Sequence, residues 1–192
     1  MGTEARTTEK KQVIALVMSD IDAEFFAKQL KPVAPHVHMV HVKDLEVLSQ
    51  VLATDHDIRI LSFCSPHIIS KEMLDRVKGN AFNFHPGPPE RPGYMPAPFA
   101  IHEKSKDFGA TFHHMQPKVD TGFIIEVARF EVKDGIRQED LEIQAYKALL
   151  LMVMQRKNQL ANLSFEFEPC GEEWSGVKTT KKDLEKILPL NP

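Results

Sequence analysis

Residues 13–18 of the chain read VIALVM, a run in which no position is polar. A run of this length that is apolar throughout is typical of a β-strand covered on both faces, as in a parallel sheet. Ser19 or Asp20 can cap a helix, which Pro32 then ends. This stretch therefore predicts a buried strand followed directly by a helix.

The rest of the chain continues this alternation of strands and helices. Further strands are predicted at 37–42, 58–63, 80–84, 108–115, 123–132 and 164–168. Helices are predicted at 44–53, 70–77, 97–104 and 139–160, with a short one near 181–187. The alternation predicts an α/β fold of three layers, in which helices cover both faces of a mostly parallel sheet. We expect a flexible tail at 1–10, one domain at 11–168, and a C-terminal tail at 169–192.

Composition and charge argue against several classes of partner. The formal net charge is −3, so the chain as a whole has no cationic field to hold nucleic acid. No stretch of about 18 apolar residues occurs, so no membrane segment is expected. Cys64 and Cys170 lack metal-ligand spacing, and no thiol or carboxylate with ligand spacing joins His36, His38 and His41, so no metal is expected. Two reduced thiols indicate a cytoplasmic protein.

A proline-rich stretch follows the strand predicted at 80–84. Residues 86–98 hold six prolines and two glycines, so no regular structure is expected there. In open α/β sheets, ligands bind at the carboxyl ends of the strands. Asn83 and His85 stand two residues apart at this strand end, so both point to the same face of an extended chain. Their position is the first indication of a site.

A later residue could complete this site. Asn83 can donate a hydrogen bond to an oxygen that gains negative charge, and His85 can take or give a proton near neutral pH. Asp120 lies in the turn between the last two long strands and could orient the imidazole or a water. Such a set suits the attack of an amine on an acyl carbon. Periodicity alone does not bring the three side chains together.

The order and spacing of these residues resemble the formyltransferase family. The matching motifs are Asn83-x-His85-Pro86, Pro92-Gly93, Gly109-x-Thr111-x-His113 and Asp120-x-Gly122, within roughly residues 12–160. That family includes glycinamide ribonucleotide transformylase, methionyl-tRNA formyltransferase and sugar N-formyltransferases. The resemblance implies a Rossmann-like fold and catalytic roles for Asn83, His85 and Asp120, with Thr111 and His113 in support.

The resemblance also implies a formyl donor, which in the family is 10-formyltetrahydrofolate. The family binds the pterin in a slot formed largely by backbone. The residues that correspond to this slot are Cys64, His67, Ile68, Ile69, Gln116, Pro117 and Val119. The implied reaction is direct transfer without a metal. The acceptor amine attacks the formyl carbon, Asn83 and His85 stabilise the oxyanion, and Asp120 assists proton transfer.

Three stretches depart from the family pattern and bear on the acceptor. Residues 18–22 read MSDID and lack the glycines that let backbone N–H groups approach a phosphate, which disfavours glycinamide ribonucleotide. Residues 87–90 read GPPE, where familiar members tend to read SLLP. The 24 residues after Glu168 leave no room for the C-terminal barrel of methionyl-tRNA formyltransferase. We therefore expect a small-molecule amine as acceptor.

Two other functions stay open on the sequence alone. A 10-formyltetrahydrofolate hydrolase would use the same three side chains to pass the formyl group to water. A non-catalytic module that binds folate or a nucleotide-sugar would show no turnover. The oligomeric state is open as well. In the helix at 139–160, Leu150, Leu151 and Met154 widen the apolar stripe, which is compatible with deep packing or with a homodimer.

Overall fold

The computed structural model describes residues 10–187, in which six strands form one sheet. The strands are β1 Gln12–Val17, β2 His38–Val42, β3 Asp57–Phe63, β4 Ala81–His85, β5 Asp107–His114 and β6 Ile124–Glu131. The order across the sheet is β2-β1-β3-β4-β5-β6. The first four strands are parallel, whereas β5 runs antiparallel to both β4 and β6. The mostly parallel sheet is thus confirmed, while residues 1–9 of the predicted flexible tail and 188–192 of the C-terminal tail lie outside the described part.

Helices cover both faces of the sheet, as expected. They are α1 Asp20–Leu30, α2 Leu45–Leu52, α3 Lys71–Arg76, α4 Pro96–His102, α5 Gln138–Ala161 and α6 Lys181–Ile187. Ile14 of β1 shares a core with Phe26 of α1 and Leu149 of α5. Its neighbour Val13 belongs to a second core with Leu48 of α2. Because successive strand residues point to opposite faces, the two cores lie on opposite sides of the sheet.

The longest helix, α5, buries the apolar stripe that the sequence indicates. Leu141, Leu149 and Leu160 are completely buried along it. Leu151 and Met154 are instead 55% and 46% exposed. The described part of the chain therefore packs one side of α5 and leaves these two side chains open to solvent.

The strand predicted at 164–168 is wrong, and a buried arginine gives the reason. Arg59, on β3, is 1% exposed. Its guanidinium donates to the backbone carbonyls of Gln159, Leu160, Asn162, Leu163 and Phe165. Carbonyls that converge on one cation cannot form the regular ladder of a strand. Burial lowers the pKa of Arg59 to about 10, so the group remains a cation at neutral pH.

The irregular stretch after β4 is shorter than predicted. Pro96 and Pro98 lie in the first turn of α4 rather than in the loop. A proline fits there because the first N–H groups of a helix have no partner within the helix. Met95, which precedes the helix, has a left-handed backbone with φ +51°. The loop therefore spans 86–95 and leads directly from the end of β4 into a helix.

Candidate active site

The pairing of β4 with β5 brings four of the predicted site residues together. Asn83 lies opposite His113, and His85 lies opposite Thr111. Residues opposite each other in an antiparallel pair project from the same face, so the four side chains form one patch. Thr111 Oγ1 donates to the carbonyl of Gly87 at 2.7 Å, which attaches the start of the loop to β5.

Asp120 closes this patch from the turn before β6. One carboxylate oxygen lies 3.7 Å from Nδ1 of His85, and the other lies 3.4 Å from Nε2 of His113. The backbone N–H of Gly93 donates to Asp120 Oδ2 at 2.7 Å. Asp120 has φ +52°, in the left-handed region that Asp and Asn tolerate better than most residues. The structure therefore places Asn83, His85 and Asp120 together, with Asp120 and His85 only 6% and 4% exposed.

The hydrogen-bond partners assign the ring protons of both histidines. A carbonyl only accepts, so Nδ1 of His113 donates to the carbonyl of His114 at 2.8 Å. In the neutral form of this ring Nε2 accepts from Nδ2 of Asn83 at 3.1 Å, whereas in the protonated form Nε2 donates toward Asp120 Oδ1 at 3.4 Å. Likewise, Nε2 of His85 donates to the carbonyl of Arg91 at 3.0 Å. Neutral His85 therefore turns the lone pair of Nδ1 toward Asp120, and the amide nitrogen of Asn83 keeps a second hydrogen for another acceptor.

Burial and neighbouring charges set the protonation states of the site. Burial lowers the pKa of His85 below its usual value, and the opposing effects of the Asp120 carboxylate and the Arg91 carbonyl do not reverse the shift. Burial alone would raise the pKa of Asp120, but a hydrogen bond from His113, the positive charge of the two imidazoles in their protonated forms, and the N–H of Gly93 together hold it below its ordinary value. Near neutral pH the site thus contains a carboxylate beside a neutral imidazole, which is an arrangement suited to accept a proton.

A cavity of about 660 Å³ opens beside these residues. Asn83, His85 and Asp120 line it where it meets the sheet. Its other walls come from the loop after β3, the loop before α4, and the first turns of α5. A cavity of this size is typical of a small-molecule site.

The residues expected to contact the donor are only partly gathered around this cavity. Cys64 and Val119 line it. Nε2 of His67 instead donates to the backbone carbonyl of Lys43 at 3.0 Å. Ile68 is 66% exposed, and the side chain of Ile69 belongs to the apolar core under α2 and α3.

The other two residues expected to contact the formyl donor, Gln116 and Pro117, belong to the loop after β5. Gln116 lies beside His114, with its Nε2 3.5 Å from the ring. Pro117 is exposed. Neither lines the cavity. In this structure the side chains of Gln116 and Pro117 therefore lie away from the cavity that the three central residues share.

Trp174 belongs to no motif in the sequence, and the structure places it against the site. Its ring meets the ring of His113 edge-on at 4.9 Å and that of His85 at 5.7 Å. Its Nε1 donates to the carbonyl of Gly122 at 2.8 Å. The only signal in the sequence is a single tryptophan within a charged segment, which does not distinguish packing on the domain from packing on a partner.

The segment that carries Trp174 is attached to the loop after β4 by backbone hydrogen bonds. Thr179 accepts from the N–H of Tyr94 and donates to the carbonyl of Pro92, both at 3.0 Å. Ser175 donates to the carbonyl of Pro89 at 3.2 Å. At Gly176 a Cβ would lie 1.7 Å from the carbonyl oxygen of Glu90, so only glycine fits this approach. Residues 172–179, which we term the C-terminal strap, therefore cover the site and its loop.

The described residues contain neither a metal-binding cluster nor a membrane-spanning helix. No group of three or more His, Cys, Asp or Glu side chains is arranged to hold a metal ion within residues 10–187. No helix in that range is both long and apolar enough to cross a membrane.

Comparison with solved structures finds formyltransferases with the same fold. A sugar N-formyltransferase from a Shewanella species matches with a TM-score of 0.77 and 16% identity, covering 94% of this chain and 81% of that one. The formyltransferase PseJ from Anoxybacillus kamchatkensis, solved with UDP-4,6-dideoxy-4-formamido-L-AltNAc and tetrahydrofolate, matches with a TM-score of 0.75 and 19% identity, covering 91% and 88%. The phosphoribosylglycinamide formyltransferase from Anaplasma phagocytophilum matches with a TM-score of 0.65 and 18% identity, covering 88% and 98%.

Sequence comparison identifies the family. A search of curated proteins finds no match. The family model described as formyl transferase matches residues 4–149, which include β4, the loop after it, and Asp120. This match spans most of the chain and agrees with the resemblance seen in the motifs. The chain belongs to the formyl transferase family.

Proposed function

We propose that this protein transfers a formyl group from 10-formyltetrahydrofolate to an amine of a small-molecule acceptor. The observation that carries the proposal is the convergence of Asn83, His85 and Asp120 beside a cavity of about 660 Å³. The family match supports the same reaction class. Relatives of the same fold have been solved with tetrahydrofolate or folinic acid, which supports a folate donor.

The cavity has features that fit the reactive end of such a donor. Cys64, Ser65 and Pro66 line one side of it and Val119 lines another, so Asn83 lies between two loops that can enclose a flat ring. Bound there, the donor supplies the formyl group and takes a proton on the nitrogen that it frees. The remaining steps belong to side chains of this protein.

Each of the three side chains has a distinct role in the proposed reaction. The acceptor amine forms a bond to the formyl carbon, and Asn83 donates its second amide hydrogen to the oxygen that becomes negative. The pair formed by Asp120 and His85 takes up the proton that the amine loses, and the proton comes to rest on Nδ1 of His85, which is the free lone pair of the ring and faces the carboxylate. Asp120 stabilises the imidazolium that results, and the added positive charge also favours the oxyanion. The proton then passes to the leaving nitrogen when its bond to carbon breaks.

The replacement Asp120→Asn tests these roles. It keeps the shape of the side chain and an oxygen for the N–H of Gly93, but it removes the charge beside His85. We expect the rate of tetrahydrofolate release to fall by about 100-fold or more. The control is Asp134→Asn, because Asp134 is exposed and pairs with Lys106 at 2.8 Å away from the site.

The outcome separates the proposal from the two other readings. Binding of 5-formyltetrahydrofolate, measured as a rise in melting temperature, should persist in Asp120→Asn. Wild-type turnover in this variant would refute the assigned roles. Formate release at an equal rate without any amine would identify a hydrolase, and folate binding without turnover would identify a binding module.

The proposal has three finer parts. The acceptor is a small molecule rather than nucleic acid, for which the formal net charge of −3 is the support. The reaction needs no metal, since the three side chains suffice to polarise the acyl group and move the proton. The protein works in the cytoplasm, where its two free cysteines would stay reduced. Unchanged turnover after treatment with a chelator is expected, and loss of turnover would contradict the second part.

A further inference from the structure

We infer that the acceptor is a small amine that carries a second positive charge and no phosphate. The inference rests on the proposed function and adds the chemical class of the acceptor. It follows from the charges of the residues that line the cavity, among which Asn83 also lies.

The wall that α5 contributes to the cavity is acidic. Glu139 and Glu142 line it, and Tyr146 follows one turn further along the helix. Glu142 is partly buried and receives a hydrogen bond from Nε2 of Gln138 at 2.8 Å. Among the described residues that line the cavity, none is lysine or arginine. A phosphorylated acceptor would therefore meet carboxylates without any lining cation to neutralise it.

The N-terminus of α1 lies next to Tyr146, and its partial positive charge is already neutralised by a carboxylate of the protein. Asp22, in the first turn of α1, is 6% exposed. It receives hydrogen bonds from the hydroxyl groups of Ser19 and Tyr146, and its N–H donates to Ser19. A carboxylate at this position takes the place that a phosphate would occupy at a helix N-terminus. The start of α1 is therefore closed to an anionic ligand.

The arginines that flank the lining residues in the sequence are already paired. Arg137 precedes α5, forms a two-point interaction with Asp140 at 2.9 and 3.1 Å, and also lies 3.7 Å from Glu139, which leaves Glu142 as the lining glutamate without a cationic partner. Arg91, in the loop after β4, pairs with Glu103 at 2.7 Å and also donates to Ser105. Recruiting either arginine for a phosphate would require breaking these pairs. The residues that line the cavity thus carry a net negative charge.

This environment suits a ligand with two amino groups. One amine, in its neutral form, attacks the formyl carbon beside Asn83 and His85. A second amino group remains protonated and pairs with Glu142 on the wall that α5 contributes, which would orient the acceptor. The same carboxylates would repel the diphosphate of a nucleotide-linked amino sugar. The expected acceptors are therefore diamines or unphosphorylated amino compounds with a distant ammonium.

The experiment compares acceptors that differ in charge. Wild-type protein with 10-formyltetrahydrofolate is given 1,4-diaminobutane, n-butylamine, O-phosphoethanolamine or a UDP-linked amino sugar, and kcat/KM is measured for each. We expect the diamine to exceed the monoamine by roughly tenfold, the effect of one charge-assisted hydrogen bond, and the phosphorylated compounds to be the poorest. Glu142→Gln should remove the preference for the diamine, because kcat/KM for the diamine should fall roughly tenfold relative to that for the monoamine. Glu166→Gln, an exposed change that removes the same charge outside this cavity, should alter neither rate.

The outcomes distinguish this inference from the function on which it rests. Faster transfer to O-phosphoethanolamine or to the UDP-linked amino sugar would overturn the inference and leave formyl transfer intact. An unchanged diamine preference in Glu142→Gln would also overturn it. Absence of transfer to every amine would overturn both.

Discussion

Trp174 offers the sharpest test of how the C-terminal strap contributes to the site. Its ring meets both histidines edge-on, at 4.9 Å from His113 and 5.7 Å from His85. Its Nε1 also donates to Gly122, two residues after Asp120. Replacing Trp174 by Ala removes all three contacts, whereas replacing it by Phe removes the hydrogen bond and keeps an aromatic ring.

The stability cost of these changes can be worked out from the contacts. Edge-on aromatic pairs contribute about 0.5–1.5 kcal/mol each beyond their buried area, and the hydrogen bond contributes about 1 kcal/mol. For Trp174→Ala the sum is about 2–4 kcal/mol, and because the side chain is only partly buried we expect the lower part of that range. Trp174→Phe should cost about 1 kcal/mol, the share of the hydrogen bond. Urea unfolding monitored by circular dichroism measures both values.

The activity of Trp174→Ala separates a positioning role from a purely structural one. The lowered pKa of His85 has burial as its main cause, so opening the site should raise it toward its ordinary value. Because the neutral imidazole is the proton acceptor, the acidic limb of the kcat/KM profile should move to higher pH. We also expect kcat to fall by about tenfold, as for a modest misplacement of reacting groups. An unchanged acidic limb and kcat in the folded variant would refute this reasoning.

Three further predictions concern the folded state. Arg59→Lys should lower the free energy of unfolding, measured in urea, by about 3 kcal/mol or more, because an ammonium cannot reach the five carbonyls that the guanidinium contacts. The control Arg76→Lys removes a single bond to Leu52 and should lower it far less. Gly176→Ala should lower the free energy of unfolding by about 1–3 kcal/mol, since its Cβ would lie 1.7 Å from the carbonyl oxygen of Glu90. The control Ser175→Ala keeps the backbone hydrogen bond to Pro89 and should leave the melting temperature almost unchanged in thermal unfolding. Asp120 has a folded-state pKa below its ordinary value of 3.8, so it stabilises the protein above that pH, and the stabilisation is lost as pH falls through the folded-state pKa. Asp120→Asn should therefore show a weaker loss of stability in acid titrations below about pH 4, and an unaltered acid titration would contradict this assignment.

Local signals in the sequence were sufficient for the parallel part of the sheet. The apolar run at 13–18 forms β1 within one residue, and Ser19 caps α1 as predicted. Both features depend on neighbours in the chain, because an all-apolar strand and a capping hydroxyl act over a few residues. The position of Asn83 and His85 at the end of a strand was likewise predicted, and both lie in β4.

Features that depend on distant partners could not be predicted. The segment at 164–168 has the composition of a strand, but its conformation is set by hydrogen bonds to Arg59, which lies about a hundred positions earlier. Nothing in the sequence indicates where Trp174 packs, because its partners His85 and His113 lie on β4 and β5, far from it along the chain. The antiparallel register of β4 with β5 places His85 and His113 on one face beside Asp120, an arrangement that the family resemblance implied and no local pattern reveals.

The buried guanidinium of Arg59 also constrains the order in which the protein can be assembled. Its carbonyl partners lie 100 to 106 residues later in the chain, so during synthesis β3 leaves the ribosome long before they do. Until then the cation must stay hydrated, with the side chain of Asn80 as its nearest partner in sequence. Water therefore cannot be excluded from the core on that side of β3 until the end of α5 has been synthesised and has packed against Arg59. A nascent chain that stops short of residue 159 should therefore remain sensitive to protease, and native protection should appear only once residue 165 has emerged.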